Sequence, residues 1–432
     1  MGAVKMGKGK TIEEVVKNNL CTGCATCISL CPLSAIGLIK DDSKGIYLPR
    51  LDTEECNQCG ICFDVCPGHS VDFKGLNIAI FGQEPEDVLL GNYLNCYIGH
   101  ATDYDIRYNS ASGGLVTAIL IFALEEGMID GALVTTMNKE KPLEPQPFIA
   151  RTREEIICAA KSKYCPVPAN IALREILEEE GRYAVVGLPC HLHGIRKAEM
   201  VSKKLKDRIA LHLGIFCSNM PNFKQTEILL RRLKLRTTEV KALNYRGEGW
   251  PGKLSIELKS GKTELIPYPA YWSGFDGLFF PFRCTMCVDW FSGLSDISCG
   301  DAWLPEVADD KVGKSVIVSR NRQGEDILQQ MLQKGKVELI AIGSDKVIES
   351  QGGFLWKKRN LRARLTISKL LGKRVPIYDN DLLRQSPFGA YLNSGLLYLE
   401  SFLASKRSLW WLLDIWCSVL AYGGHIKSRL RL

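Results

Sequence analysis

Two cysteine quartets separated by a fixed offset constrain this chain more than any other feature. "CTGCATCISLCP" supplies Cys21, Cys24, Cys27 and Cys31 followed by Pro32, and "CNQCGICFDVCP" supplies Cys56, Cys59, Cys62 and Cys66 followed by Pro67. Every cysteine and both prolines coincide after a shift of 35 residues, so the two halves are an internal repeat. Three thiolates in one tight turn reach three corners of an iron–sulfur cubane, and the fourth, on the helix that follows, swings across to the other cluster. The spacing therefore predicts one [4Fe–4S] cluster on Cys21, Cys24, Cys27 and Cys66, and a second on Cys56, Cys59, Cys62 and Cys31. Zinc needs four ligands per ion and has no use for a duplicated x2-x2-x3-P pattern.

That spacing is the one used by bacterial two-cluster ferredoxins. The 432 residues leave room for more, and the fold expected is mixed, α+β and α/β. A dicluster ferredoxin module at 1–75 precedes an α/β domain in two parts, 76–180 and 181–345, carrying an antiparallel insertion; a basic, partly helical extension follows at 346–432. Seventeen cysteines behind a polar opening, "MGAVKMGKGKTIEEVVKNNL", argue against disulfides and for metal or redox use of thiols in a cytoplasmic setting.

The net charge of +7 is unevenly placed. From Lys357 to Leu432 there are fourteen Lys/Arg against four Asp/Glu, a surplus of ten, which leaves about −3 for the rest by subtraction. The basic character belongs to the tail, and nothing in the chain reads as a nucleic-acid site. No run reaches the ~18 apolar residues of a membrane span. The nearest, "SLWWLLDIWCSVLAYGG" at 408–424, is broken by Asp414. A helix packed on protein is its first reading, and a peripheral membrane contact its second.

From residue 95 strand-like and helix-like runs alternate. "SASGGLVTAILIFALEEG" (110–127) reads as a glycine turn leading into a helix, "IDGALVTT" (129–136) and "YAVVG" (183–187) as strands, and "ANIALREILEEEG" (169–181) and "KQTEILLRRLKLR" (224–236) as helices. Cys190 follows the strand "YAVVG", and Cys217 ends the strand "RIALHLGIFC" (208–217). Residues just past strand carboxyl ends share one crevice in open α/β sheets. Both are thus placed to meet Cys284 and Cys287 of "FRCTMCVDW", which could complete a third [4Fe–4S] cluster. A redox dithiol, a zinc half-site and a pair of core cysteines remain open for that C-x-x-C on spacing alone.

Seven motifs in order carry a family resemblance: "YNSASGGLVTAIL", "KSKYCPVP", "VGLPCHLHGIRKA", "LGIFC", "YRGEGWPG", "RCTMCVD" and "DISCGDAW". Over about residues 76 to 340 the chain resembles the coenzyme F420 hydrogenase/dehydrogenase beta-subunit family. The resemblance implies a flavin-binding domain with FAD, and Cys190, Cys217, Cys284 and Cys287 as ligands of the third cluster. It also implies that Ser110, Ser112, Gly113, Gly114 and Thr117, Lys163 and Tyr164, and Arg246, Gly247, Gly249 and Trp250 contact the flavin. A glycine turn opening a helix suits close backbone approach, and Lys163 suits a phosphate or a reduced flavin.

The activity so implied is electron transfer between a hydride carrier, coenzyme F420 or another, and ferredoxin-type clusters, ferredoxin or a partner subunit. Two alternatives stand beside it: a ferredoxin-dependent reductase of another organic substrate, and a non-enzymatic electron-wiring protein. Cys299 departs from the pattern; a core substitution is its first reading and a substitute ligand its second. Cys96, Cys158, Cys165 and Cys417 read as buried structural thiols. His191 and His193 read as loop histidines, with hydrogen bonding near a cluster as the alternative.

Overall fold

The computed structural model describes residues 9–272, 278–352, 355, 360–379, 382–413 and 415. In the repeat, the antiparallel pair β1 (Ile36–Asp41) and β2 (Ile46–Leu51) accompanies two short helices, Thr26–Ser29 and Ile61–Asp64. Each helix starts directly after a residue in the left-handed region, Ala25 at φ 68° and its repeat mate Gly60 at φ 85°. Gly23 (φ 73°) and Gln58 (φ 56°) repeat the pattern two residues earlier. The same loop is therefore drawn twice, and it wraps its cysteines around a common centre.

The larger part is built on one eight-stranded mixed sheet. Its strands are β3 (Asn95–Ala101), β4 (Gly131–Met137), β5 (Pro145–Ala150), β6 (Tyr183–Gly187), β7 (Ile209–Ile215), β11 (Ile297–Asp301), β12 (Ser315–Ser319) and β13 (Val337–Ile342). Their order is β13-β3-β12-β11-β7-β6-β4-β5. The centre, β4 to β6 to β7 to β11, is parallel, and the flanks pair antiparallel. β3 sits between β12 and β13, so segments more than two hundred residues apart share one ladder. The helix Leu115–Glu125 covers one face, buried at nearly every position from Leu115 to Ala123, as a helix apolar all round must be.

Between β7 and β11 lies the antiparallel insertion foreseen from its Gly/Pro-punctuated strands: β8 (Val240–Asn244), β9 (Lys253–Leu258) and β10 (Thr263–Pro267), ordered β10-β9-β8. Beyond β13 the tail is helical where described, over Leu361–Leu370 and Phe388–Ser405. Most of 408–424, with Cys417, lies outside the described residues. No helix among the described residues is long and apolar enough to cross a membrane.

Candidate cluster and flavin sites

The first and second quartets assemble across the repeat. One cavity is lined by Cys21, Cys24, Cys27 and Cys66 with Ile12, Ile28, Leu38 and Tyr47. A second is lined by Cys31, Cys56, Cys59 and Cys62 with Leu33, Asn57 and Gln58. The fourth cysteine of each triplet thus lies with the opposite triplet, because Pro32 and Pro67 end the short helices and turn the chain away. Among the described residues no three His, Cys, Asp or Glu converge tightly enough for a single metal ion. The thiols surround a volume instead of a point.

Electrostatics follow the same grouping. Burial pushes the Cys27 thiol well up, and the neighbouring thiols of Cys66, Cys24, Cys21 and Cys62 push it further. Burial raises Cys66 to about 11, with Cys24 adding and Lys197 opposing. A buried group of four thiols holds its protons tightly unless a cation offsets the charge, which is what an iron cluster does.

Cys190, Cys217, Cys284 and Cys287 also come together. Burial raises Cys190 well above the ordinary thiol value, and the charges that add to it are Cys284, Cys217, Cys24 and Cys287. Three segments deliver them. Cys190 is the second residue of the helix Pro189–Val201, directly after β6. Cys217 lies two residues past β7, its N–H donating to Trp290 O at 2.9 Å. Cys284 sits in the 3-10 turn Phe282–Met286, with Cys287 just beyond it. The action of Cys24 on Cys190 makes this group adjacent to the first quartet.

The helix Pro189–Val201 ties the two groups together. Asn170 N–H donates to Cys24 O (3.0 Å), and its amide reaches Thr26 Oγ1 (2.7 Å) and His191 O (2.9 Å). A Cβ on Gly194 would collide with Thr26 Oγ1, so only glycine permits this approach. Lys197 Nζ donates to Cys66 O (2.7 Å) and Ser70 O (2.9 Å), and Arg283 donates to Gly68 O and Pro67 O. The histidines of this helix are buried, not loop residues: His191 bonds Val167 O, and His193 bonds Asp289 at 2.9 Å. Burial lowers His191 to about 4.

The three segments predicted to contact flavin meet around Arg246. Its guanidinium is 1% exposed and donates to both Asp301 oxygens (3.0 and 3.2 Å), to Ala111 O (2.5 Å) and to Tyr164 Oη (3.3 Å). Trp250 Nε1 donates to Asp301 as well, at 3.0 Å. The guanidinium lies 4.8 Å from the Tyr268 ring and 6.0 Å from Trp303. Burial opposes its charge, and Asp301 more than restores it. Arg246 Nε is buried with no hydrogen-bond partner among the described residues. Gly247 takes φ 139° beside the Lys161 side chain, and Gly249 takes φ 81° with its N–H on Tyr108 O.

The "SASGG" turn has an internal use for each member. Ser110 Oγ donates to Ile106 O, and Ser112 Oγ to Lys314 O. A Cβ on Gly113 would meet Gly99 O at 2.7 Å, and Gly114 takes φ 76° at the helix start. Thr117 is buried on that helix. Lys163 does not face the Arg246 site: its ammonium donates to the carbonyls of Ala159, Ala160 and Lys161, and burial lowers it to about 7.

Cys299 is buried in β11 within the main core, raised to about 12 by burial alone. No neighbouring thiol acts on it, which places it apart from the quartets as a core residue. Cys96 and Cys165 are buried as expected, but Cys158 is exposed at the end of the helix Arg153–Cys158, because that last turn faces solvent. Asp301 and Trp303 were not foreseen as site residues. The sequence signal was the "GDAW" of a quoted motif, whose carboxylate matches the arginine of "YRGEGW".

Comparison with known proteins identifies the family. Two family models of the coenzyme F420 hydrogenase/dehydrogenase beta subunit match, the amino-terminal one over residues 96–174 and the carboxy-terminal one over residues 180–345. A third, described as a 4Fe-4S dicluster domain, matches residues 20–71. A coenzyme F420 hydrogenase subunit beta from Methanosarcina barkeri is 30% identical over 259 residues, 59% of this chain and 84% of that protein. The chain belongs to the coenzyme F420 hydrogenase/dehydrogenase beta-subunit family. A second relative, the coenzyme F420-dependent sulfite reductase of Methanocaldococcus jannaschii, is 26% identical over 77% of this chain and 49% of its own length. Among solved structures, a chain of the F420-reducing [NiFe] hydrogenase complex from Methanosarcina barkeri superposes with a TM-score of 0.53 at 26% identity, covering 67% of this chain and 98% of that one. This family member thus carries an iron–sulfur dicluster domain ahead of the family's mixed α/β fold.

Proposed function

We propose that the protein is an iron–sulfur flavoprotein oxidoreductase that moves electrons between coenzyme F420 and a redox partner, through FAD and three [4Fe–4S] clusters. The observation that carries this reading is the series of cysteine quartets: Cys24 of the first quartet acts on Cys190, and Cys62 of the second acts on Cys27. On this reading Cys190, Cys217, Cys284 and Cys287 hold the third cluster, and FAD lies against Arg246. FAD, when bound, converts a two-electron hydride into the single electrons that clusters carry.

The chain's own residues have definable tasks. Arg246 Nε, without a partner among the described residues, is a buried donor suited to the carbonyl edge of a flavin ring. Asp301 neutralises the Arg246 guanidinium and fixes its orientation beside the Tyr268 ring, so the pair supplies aimed N–H donors and no net charge. The stacked rings of Tyr268 and Trp303 lie beside the guanidinium and offer flat apolar surface there. Asn170, Thr26, Lys197 and Arg283 fix the repeat against the larger domain, so that the quartets keep their separation. The names of both relatives support the choice of carrier, since each is named for F420.

Anaerobic purification is expected to give about twelve irons and one flavin per chain. Eight irons without flavin would leave only an electron-wiring module. Mixing with reduced F420 should bleach the flavin; absence of bleaching, with reduction by ferredoxin intact, would favour a ferredoxin-driven reductase of another substrate. Cys284→Ala should lose the third cluster's iron while the signals of the repeat persist, and an unchanged iron count in that variant refutes the third cluster.

A further inference from the structure

The helix Phe388–Ser405 has its apolar face on the outside. Its inward side buries the small residues Ala390, Ser394 and Ala404 and packs Tyr398 against Phe282 and Leu403 against Trp410 and its neighbours. Phe388, Leu392, Leu396, Leu399 and Phe402 are more than half exposed, Phe388 at 79%. Their spacing of four, four, three and three residues keeps them on one stripe along a helix of about 27 Å. A globular helix normally does the reverse. Leu370, Leu371, Ile377, Trp411 and Ile415 are exposed as well. The helix Leu361–Leu370 runs alongside, since Ala363 N–H donates to Ser386 Oγ and the hydroxyls of Ser368 and Tyr398 are bonded. Lys369 and Leu370 thus stand near the Leu399 end of the stripe.

Charge identifies what covers this face. Among the described residues from 360 to 413, Lys and Arg outnumber Asp and Glu by eight to two. Lys369, Lys373, Arg374, Arg384 and Lys406 are all exposed, and the sequence beyond carries Lys427, Arg429 and Arg431. A second copy seated on the stripe would bring two positive rims together. An anionic lipid surface meets both features at once: apolar side chains enter the acyl boundary, aromatic residues sit at its edge, and cations stay with the head groups. We infer that this face, centred on Phe388, Leu392, Leu396, Leu399 and Phe402 and rimmed by Lys369, Lys373, Arg374, Arg384 and Lys406, binds the surface of an anionic bilayer. It would lie on the bilayer without spanning it.

The test is flotation of the full chain, purified anaerobically, with vesicles of phosphatidylcholine alone or mixed with phosphatidylglycerol. Binding to the mixed vesicles is expected, weakened by salt, and at least about tenfold weaker on phosphatidylcholine alone. Leu392→Glu/Leu399→Glu should abolish flotation, and Lys369→Glu/Lys373→Glu/Arg374→Glu should weaken it about tenfold or more, with iron content and circular dichroism unchanged in both. The aromatic-retaining variant Phe388→Trp should keep binding, which separates loss of the surface from loss of the fold. Three results would overturn the inference. They are no flotation with anionic vesicles, flotation of the Leu392/Leu399 variant equal to that of the parent, or vesicle-independent self-association that this variant abolishes.

Discussion

The two quartets of the repeat have the same cysteine spacing and opposite surroundings. Cys21, Cys24, Cys27 and Cys66 are all buried, whereas Cys31, Cys56 and Cys59 are half-exposed and only Cys62 is buried. The difference comes from outside the repeat. The helix Pro189–Val201, Asn170 and Arg283 close over the first quartet, while Pro32, Leu33, Asn57 and Gln58 face solvent around the second. One cysteine pattern therefore serves two positions, an enclosed one beside the Cys190 group and an outlying one open to solvent.

The largest test of that contrast replaces one ligand on each side. Cys27→Ala should lose iron and unfold the repeat at the cost of several kcal/mol, because it removes metal binding and core packing together. Cys56→Ala should lose the second cluster alone and leave the first cluster's signal and the melting transition largely in place. Equal destabilisation by both, in anaerobic denaturation, would break the comparison.

Next in size is Lys197→Met. It removes the ammonium that donates to Cys66 O and Ser70 O and should cost about 2 kcal/mol in denaturant unfolding. Paramagnetic resonance should show the first cluster altered and the second unchanged.

The same helix is anchored by a buried network in which Arg196 pairs with Glu199 and Asp296 (both 3.1 Å), and His212 bridges those two carboxylates. Burial raises the carboxyl of Asp296, but Arg196 and His212 outweigh it and hold it far below the usual value; Glu199 is lowered likewise. Depressed carboxyls contribute stability that is present above about pH 4 and lost as pH falls. His212 works in the other direction. Burial and Arg196 lower it, Glu199 and Asp296 prevail, and its net raised value gives stability that is present below about pH 6.5 and lost as pH rises. Hydrogen exchange at Asn170 and Thr26 should therefore accelerate on acidification before exchange around Cys56 does. His212→Gln should remove the alkaline loss, by about 1 kcal/mol.

The smallest test lies in the turns. Gly60 holds the left-handed conformation that Ala25 also adopts. Gly60→Ala should fold with both clusters and cost about 1 kcal/mol. A larger penalty, read from the shift in denaturation midpoint, would mean that the two loops are less alike than their backbones indicate.

How much was legible depended on the range over which residues communicate. The swap of Cys31 and Cys66 follows from a three-residue spacing and a proline. The strand "YAVVG" and the helix after "SASGG" follow from apolar periodicity. The buried Arg246–Asp301 pair joins residues 55 positions apart on different strands and loops, with no periodic signal to link them. Cys158 departs from its expected burial for a related reason, since the solvent-facing side of a short helix is set by what packs against its other side. Lys163, a plausible phosphate partner by type, is turned onto backbone carbonyls by the end of the helix before it.

The sequence by itself determined the repeat, the spacing of its eight cysteines and the exchange of Cys31 and Cys66 between halves, because each loop is specified by neighbours a few residues away. Only the tertiary structure decided that Cys190, Cys217, Cys284 and Cys287 gather beside Cys24, that Cys299 stays in the sheet core, and that one quartet is enclosed and the other open. Those outcomes depend on a sheet that pairs β3 with strands more than two hundred residues later and on a helix from the larger domain closing over the smaller one. Burial of that kind is a property of surfaces meeting, and no local spacing encodes it.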